Sequence, residues 1–138
     1  RSTMNKTVII DASVLLMEII GKSEQIEKKL RHILHDTASA AYILPFTLAE
    51  FANGIRFSTR DIPVAKQALD RFTALALPVM PIVPGDIHAI VELSYRLGTT
   101  VYDTAYHYAA IMHDGIFITC DKDYFKNTSA LGHKELWE

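Results

Sequence analysis

The sequence predicts a single α/β domain in which a central, mainly parallel sheet of four to five strands carries helices on both faces. Three observations predict this fold class. Short apolar runs, typical of strands buried on both sides, alternate along the chain with longer segments of helical periodicity. The 138 residues suffice for one domain, which we expect to span residues 4–138. A hydrophobic fraction of 49% and a charged fraction of 22% are typical of a globular chain rather than a disordered one.

The first third of the chain predicts one strand followed by two helices. Residues 7–10 form a β-branched strand that stops at Asp11. Residues 12–20 form a helix that ends at Gly21. The second helix begins after Ser23, a candidate N-cap. Its apolar face consists of Ile26, Leu30, Ile33 and Leu34.

The middle of the chain continues this alternation. Residues 40–44 predict a second buried strand, closed by Pro45, and residues 47–57 predict a helix. Asp61 is a candidate N-cap for the next helix, which has Pro63 in its first turn. The inward residues of that helix are Ala65, Ala68, Leu69 and Phe72.

The last part of the chain begins with a short predicted strand over residues 79–83. Pro81 favours an edge position for this strand, because proline cannot donate a ladder hydrogen bond. The remaining predicted elements are a helix over 84–97 ended by Gly98, a helix over 102–113 stopped by Gly115, a strand over 116–119 and a last short strand within 131–137.

Composition limits the function. The 16 acidic and 14 basic residues give a net charge of −2, which argues against a general nucleic-acid binder with a broad basic face. No apolar run approaches the roughly 18 residues of a membrane span, so we expect no membrane association. The single cysteine, Cys120, excludes an internal disulfide and a cysteine-based zinc cluster, and it is typical of the reducing cytoplasm. We interpret residues 1–3 as a cloning remnant before Met4, with no secretory signal.

Two aspartates follow predicted buried strands. Asp11 ends the first strand, and Asp121 comes shortly after the strand over 116–119. Aspartate is unfavourable in strands and costly to desolvate. The carboxyl ends of parallel strands form the ligand-binding edge of this fold class, so both side chains are candidates for a site there. For either aspartate alone, an N-cap of the next helix is an equally good interpretation.

Two further acids lie within apolar helical segments. Glu50 stands among Leu48 and Phe51, which leave it little room to face bulk water, and Asp103 begins a helix otherwise lined by alanines and aromatic residues. Each has an ordinary explanation when taken alone. Glu50 could be exposed at the surface, and the helix dipole favours an acid such as Asp103 in the first turn.

Together, the four acids indicate a metal site. Four carboxylates within a few ångströms repel one another by on the order of several kcal/mol at an effective dielectric constant of about 20. Such a cluster persists only if cations occupy it or if some of the carboxylates are protonated. Ligands that are all oxygen select a hard cation, Mg²⁺ or Mn²⁺. The corresponding chemistry is phosphoryl transfer by a metal-activated water.

The segments around these acids resemble the PIN-domain family of metal-dependent ribonucleases, and the chain length is similar to that of its VapC-type toxins from prokaryotic toxin–antitoxin pairs. The resemblance covers residues 4–136 and comes in the family's order and at its usual separations. The matching segments are residues 8–15, 45–53, 100–109 and 118–125.

This resemblance implies roles for individual residues. Those similar to the family's catalytic and metal-binding acids are Asp11, Glu50, Asp103 and Asp121, with Asp123 as an additional acid of lower rank. Those similar to its supporting positions, which would keep the carboxylates oriented, are Ser13, Asn53 and Thr119. For each supporting residue, local backbone capping is favoured over a direct catalytic role. The resemblance also implies Mg²⁺ (or Mn²⁺) as cofactor, RNA as substrate, products with a 5′-phosphate and a 3′-hydroxyl, and an antitoxin protein as partner.

Other interpretations remain open. A PIN-fold protein could act mainly as a binding or scaffold partner in an RNA-processing or antitoxin complex. A haloacid-dehalogenase-type phosphatase is disfavoured, because Ser13 stands where that family needs a second aspartate, and a response-regulator receiver would need paired acids after the first strand. The apolar side chains of the early helices indicate a homodimer or antitoxin-binding surface, although core packing explains them as well; they are Leu16, Ile19, Ile20, Phe46 and Phe57.

Overall fold

The computed structural model describes residues 5–138. The interpretation of residues 1–3 and of Met4 as the native start lies outside these described residues. Within them, no helix is both long enough and apolar enough to cross a membrane.

Four parallel strands form one sheet in the order β2-β1-β3-β4, as the alternation of elements predicts. The chain runs from the central strand β1 outward to β2 and then crosses to β3 on the other side of β1. The strand order therefore reverses between β1 and β3, which is where ligands bind in open parallel sheets. The strands are β1 (Lys6–Ile10), β2 (Ser39–Tyr42), β3 (Ile116–Thr119) and β4 (Lys134–Leu136).

Both faces of the sheet are covered because successive strand residues point to opposite sides. Val8 and Ile10 pack into a core with the first four helices, whereas Ile9 and Phe117 pack into a second core with the later helices. The helices are α1 (Ala12–Ile19), α2 (Glu24–His35), α3 (Thr47–Ser58), α4 (Ile62–Ala74), α5 (Pro84–Leu97), α6 (Val101–Met112) and α7 (Lys122–Asn127).

The predicted helix caps are confirmed. The Ser23 hydroxyl accepts a hydrogen bond from the backbone amide of Ile26 at 3.3 Å, and the Asp61 carboxylate accepts one from that of Val64 at 3.3 Å. Gly98 follows α5 in the left-handed conformation, with φ of 67°, which glycine adopts without a steric penalty.

Two elements differ from the sequence prediction. The strand expected over residues 79–83 reduces to a single parallel bridge between Val79 and Ile43. Pro81 lacks the amide that would extend the ladder, and a helix begins at Pro84. The predicted elements included none between the strand over 116–119 and the strand within 131–137, whereas the structure has the six-residue helix α7, capped by Asp121.

Gly115 is needed for space rather than for backbone conformation. The left-handed residue after α6 is Asp114, with φ of 49°, and not the glycine that was expected to stop the helix. A Cβ on Gly115 would lie 2.2 Å from the carbonyl oxygen of Thr7 on β1. The close approach of this loop to β1 therefore excludes any side chain.

We expect Gly115→Ala to lower the free energy of unfolding by about 1–3 kcal/mol or more, because backbone must move to admit the methyl group. Gly85→Ala is the matched control, since a Cβ there meets nothing within 4 Å in the first turn of α5. That control should leave stability unchanged or raise it by about 0.4–1 kcal/mol. Urea denaturation of both variants tests this, and equal stabilities would contradict the steric assignment.

Candidate active site

Asp11 is the most buried of the four acids. It follows β1 at the strand-order reversal and is 7% exposed. Its Oδ1 accepts hydrogen bonds from the Ser13 hydroxyl at 2.5 Å and from the Val14 amide at 3.2 Å, so it caps α1. Its Oδ2 accepts from the Thr119 hydroxyl at 2.6 Å. The interpretation of Asp11 as an N-cap is thus correct. The capping hydrogen bond from the Val14 amide uses only Oδ1 of the carboxylate.

Burial raises the pKa of Asp11 to about 6. Desolvation is the largest cause, since a charged carboxylate loses its hydration in the interior. The hydrogen bonds from Ser13, Thr119 and Val14 lower the pKa but do not cancel the effect of burial, and the charge of Asp103 raises the pKa further. The carboxylate is therefore ionised at neutral pH only at a cost in free energy.

Ser13 and Thr119 hold Asp11 from two elements. The Ser13 oxygen also accepts from the Cys120 amide at 2.9 Å, and the Thr119 oxygen accepts from the Asp121 amide at 3.0 Å. Because Thr119 is the last residue of β3, its hydroxyl connects the ends of the two central strands. The structure places both predicted supporting residues in direct contact with Asp11.

Glu50 is held by a residue that the sequence analysis missed. The Tyr106 hydroxyl on α6 donates to Glu50 Oε1 on α3 at 2.6 Å. Tyr106 is 1% exposed, and its oxygen lies 2.9 Å from the Thr47 hydroxyl, which donates to it. Thr47 in turn accepts from the Leu44 amide at 2.9 Å. The sequence did contain a signal for this contact, namely a tyrosine three residues after Asp103 on an apolar helix. A buried tyrosine hydroxyl needs a hydrogen-bond partner.

Burial also raises the pKa of Glu50 and of Asp103. For Glu50, the hydrogen bond from Tyr106 lowers the pKa and the charge of Asp103 raises it, both by less than burial does. For Asp103, the charge of Asp121 adds to burial, whereas its interaction with Thr100 lowers the pKa. The Asp103 amide donates to the Thr100 hydroxyl at 3.1 Å, so Asp103 occupies the first turn of a capped helix.

Asp121 caps α7, with Oδ1 accepting from the Tyr124 amide at 3.0 Å. The two remaining predicted residues lie at the surface. Asp123, in the first turn of α7, and Asn53, on α3, are both exposed. Within residues 5–138, neither side chain forms a hydrogen bond to the four acids.

The four acids share one electrostatic environment without forming a closed cage. The charge of Asp103 raises the pKa of both Asp11 and Glu50, and the charge of Asp121 raises that of Asp103. In the described part of the chain, no group of three or more histidine, cysteine, aspartate or glutamate side chains is arranged closely enough to hold a metal ion. Their donors are all carboxylate oxygens, so the donor chemistry fits a hard divalent cation.

Cys120 does not supply a nucleophile. The half-buried thiol lies between Thr119 and Asp121, and burial together with the charge of Asp11 raises its pKa to about 11. A thiol with this pKa is protonated at neutral pH and is unreactive. Cys120 packs against the first core as a small apolar side chain.

Comparisons with known proteins agree with this fold. A family model described as PIN domain matches residues 8–131. VapBC2 from Rickettsia felis, bound to a promoter DNA fragment, has a TM-score of 0.73 at 15% identity, over 96% of this chain and 99% of that one. DNA-bound VapBC from Salmonella typhimurium has a TM-score of 0.70 at 20% identity, over 97% and 99% of the two chains.

A third structure, VapBC-5 of a toxin–antitoxin system from Mycobacterium tuberculosis, has a TM-score of 0.61 at 17% identity, over 94% of this chain and 96% of that one. Identities this low show a shared fold. No curated protein matches the chain in sequence.

The raised pKa of Asp11 predicts a pH-dependent stability. Since the folded pKa of about 6 exceeds the ordinary aspartate value of 3.8, the folded state binds the proton more tightly than the unfolded state. The contribution of Asp11 is therefore fully present below about pH 4 and is lost as the pH rises through 6. In EDTA, we expect the free energy of unfolding of Asp11→Asn, relative to the wild type, to rise by up to about 3 kcal/mol between pH 4 and pH 7.

Urea denaturation at several pH values measures this difference. Asp70→Asn, which changes an exposed aspartate on α4, is the control and should follow the wild-type pH profile. If the free energies of unfolding of Asp11→Asn and the wild type changed with pH in the same way, the conclusion that burial destabilises the Asp11 carboxylate would be wrong.

Proposed function

The chain belongs to the PIN-domain family, whose model matches residues 8–131, and from this premise we propose that it is a metal-dependent endoribonuclease. One observation carries the proposal. Asp11 is buried as a carboxylate at the strand-order reversal, where the charge of Asp103 acts on it, and Asp103 is itself coupled electrostatically to Glu50 and to Asp121. A destabilised carboxylate with further acids nearby is typical of a cation-binding site rather than of a structural residue.

In this proposal, Asp11, Glu50, Asp103 and Asp121 hold Mg²⁺ or Mn²⁺, with Asp123 as an additional, exposed acid. When bound, the cation supplies positive charge for the scissile phosphate and lowers the pKa of a water nucleophile. The residues of the chain orient the ligands. Ser13 and Thr119 hold both oxygens of Asp11, and Tyr106 holds Glu50. Asn53 is exposed on α3, and we assign it no contact.

We propose further that the protein is the toxin of a VapBC-type pair, acting on RNA in the cytoplasm together with an antitoxin protein. The similarity in fold to VapBC structures supports this. A homodimer or antitoxin surface is also supported by exposed apolar side chains, since Phe57 is 80% and Ile62 is 67% exposed. Leu16, Ile19 and Ile20 pack into the first core, and Phe46 packs against the second, so core packing explains these four residues.

Asp103→Asn should reduce RNA cleavage by about 100-fold or more, as removal of one charge-stabilising group typically does. Incubation of RNA with Mn²⁺ and mapping of the product ends measures this, with 5′-phosphate and 3′-hydroxyl ends expected. Asp70→Asn on α4 is the matched control and should retain full activity. Undiminished cleavage in EDTA, or by Asp103→Asn, would refute the mechanism. Absence of both cleavage and metal binding in the wild type would favour the scaffold alternative.

Metal affinity should fall as the pH decreases through about 6. Asp11 must be ionised to bind a cation, and its proton competes below its pKa of about 6. Calorimetric titration with Mn²⁺ at pH values from about 7 to 4, the range that spans the reference and raised carboxylate pKa values, measures this competition. An affinity that does not change over this range would contradict the role of Asp11 as a ligand.

A further inference from the structure

Two buried polar side chains next to the four acids have no role in the proposed chemistry. His107 on α6 is 0% exposed, and Tyr124 on α7 is 4% exposed. His107 Nδ1 lies 2.8 Å from the Tyr124 hydroxyl oxygen, and Nε2 lies 2.7 Å from the carbonyl oxygen of Gly132. A carbonyl only accepts, so Nε2–H donates to Gly132. Nδ1 of the neutral ring then accepts from the Tyr124 hydroxyl.

Each member of this pair is tied to one of the acids. His107 follows Asp103 by four residues on α6, so the two side chains lie on the same face, one turn apart. The Tyr124 amide donates to the Asp121 carboxylate at 3.0 Å. Asp103 and Asp121 both act on the Tyr124 phenol, whose pKa is raised first by burial and then by these two charges. The pair therefore links the helix that carries Asp103 to the helix that Asp121 caps.

Helix α7 depends on such contacts for its position. With six residues it is far too short to be stable alone. Its second half is fastened to β4, where the Lys134 ammonium group donates to the Phe125 carbonyl at 2.8 Å and to Thr128. The backbones of α6 and α7 make few close approaches, so side chains supply the link at the first half of α7. That half directly follows the N-cap Asp121, whose charge repels that of Asp103.

We propose that the His107–Tyr124 hydrogen bond positions Asp103 and Asp121 relative to each other and thereby sets the affinity of the site for a divalent cation. The inference rests on the proposed function, in which these acids are metal ligands. His107 and Tyr124 are positioning residues, because they act through the two aspartates. Groups that orient metal ligands typically contribute about 10- to 100-fold in metal affinity.

Tyr124→Phe tests this most directly. It removes the hydroxyl and keeps the ring, whose centroid lies 5.7 Å from those of His107 and Phe117. We expect the Mn²⁺ dissociation constant of the full chain, measured by calorimetry, to rise about tenfold. Ile26→Val is the control for a purely structural loss, since it removes a buried methylene from α2, which carries none of the four proposed metal ligands. It should lower the melting temperature and leave the Mn²⁺ dissociation constant unchanged.

Variants of His107 test whether His107 and Tyr124 act together through their hydrogen bond. They also provide the test if Tyr124→Phe does not fold. His107→Phe removes both hydrogen bonds, so it should weaken Mn²⁺ binding at least as much as Tyr124→Phe does. Combining it with Tyr124→Phe should add little, because the two residues act as one unit. His107→Asn retains an acceptor for the Tyr124 hydroxyl and should restore part of the affinity. Wild-type affinity in His107→Phe or Tyr124→Phe, or fully additive losses in the double variant, would overturn the inference.

These results separate the inference from the proposed function. If the wild type binds Mn²⁺ and Asp103→Asn does not, the metal site stands. Unchanged affinity in Tyr124→Phe would then contradict the positioning role alone. If the wild type binds no Mn²⁺, the proposed function fails, and the positioning role fails with it.

Discussion

The central constraint on this molecule is a carboxylate, that of Asp11, held in the interior at the end of the middle strand. Its hydration is replaced by two hydroxyls and one backbone amide, contributed by Ser13, Thr119 and Val14. These donors belong to α1 and β3, so solvating the charge also fixes the start of a helix against the end of a neighbouring strand. The replacement is incomplete, because burial still raises the pKa to about 6. A bound cation would stabilise this charge, so the electrostatics of the site favour binding of a cation.

Helix α6 organises the remaining acids. It carries Asp103 itself, and its adjacent residues Tyr106 and His107 extend to different neighbours. Tyr106 reaches Glu50 on α3, and His107 reaches Tyr124 on α7. The ring of Phe117 from β3 stacks on Tyr106 with a centroid separation of 5.7 Å and also packs against Tyr124. The buried aromatic rings hold three helices and one strand together. Their polar atoms fix the positions of the carboxylates near the carboxyl edge of the sheet.

The net charge of −2 has a different meaning once the acids are located. Taken as a sum, it argued against binding to nucleic acid. In the proposed function, four of the 16 acidic residues belong to one site near the strand ends, where their charges would repel phosphate. Cations bound there would reverse the sign of the local potential. Mild acidity is therefore compatible with the proposed nuclease, whose affinity for RNA would depend on the metal.

Local pattern by itself determined the α/β class, the parallel strands and the helix caps, because burial on two sides and capping leave signals within a few residues. It also placed Asp11 and Asp121 after strands. Only the tertiary structure decided that residues 79–83 make a single bridge, that α7 is a helix, and that Asn53 and Asp123 are exposed. The partnership of Tyr106 with Glu50 spans 56 residues and depends on how α3 and α6 pack on the sheet. Pairings of that kind are set by the register of whole elements, which no local spacing encodes.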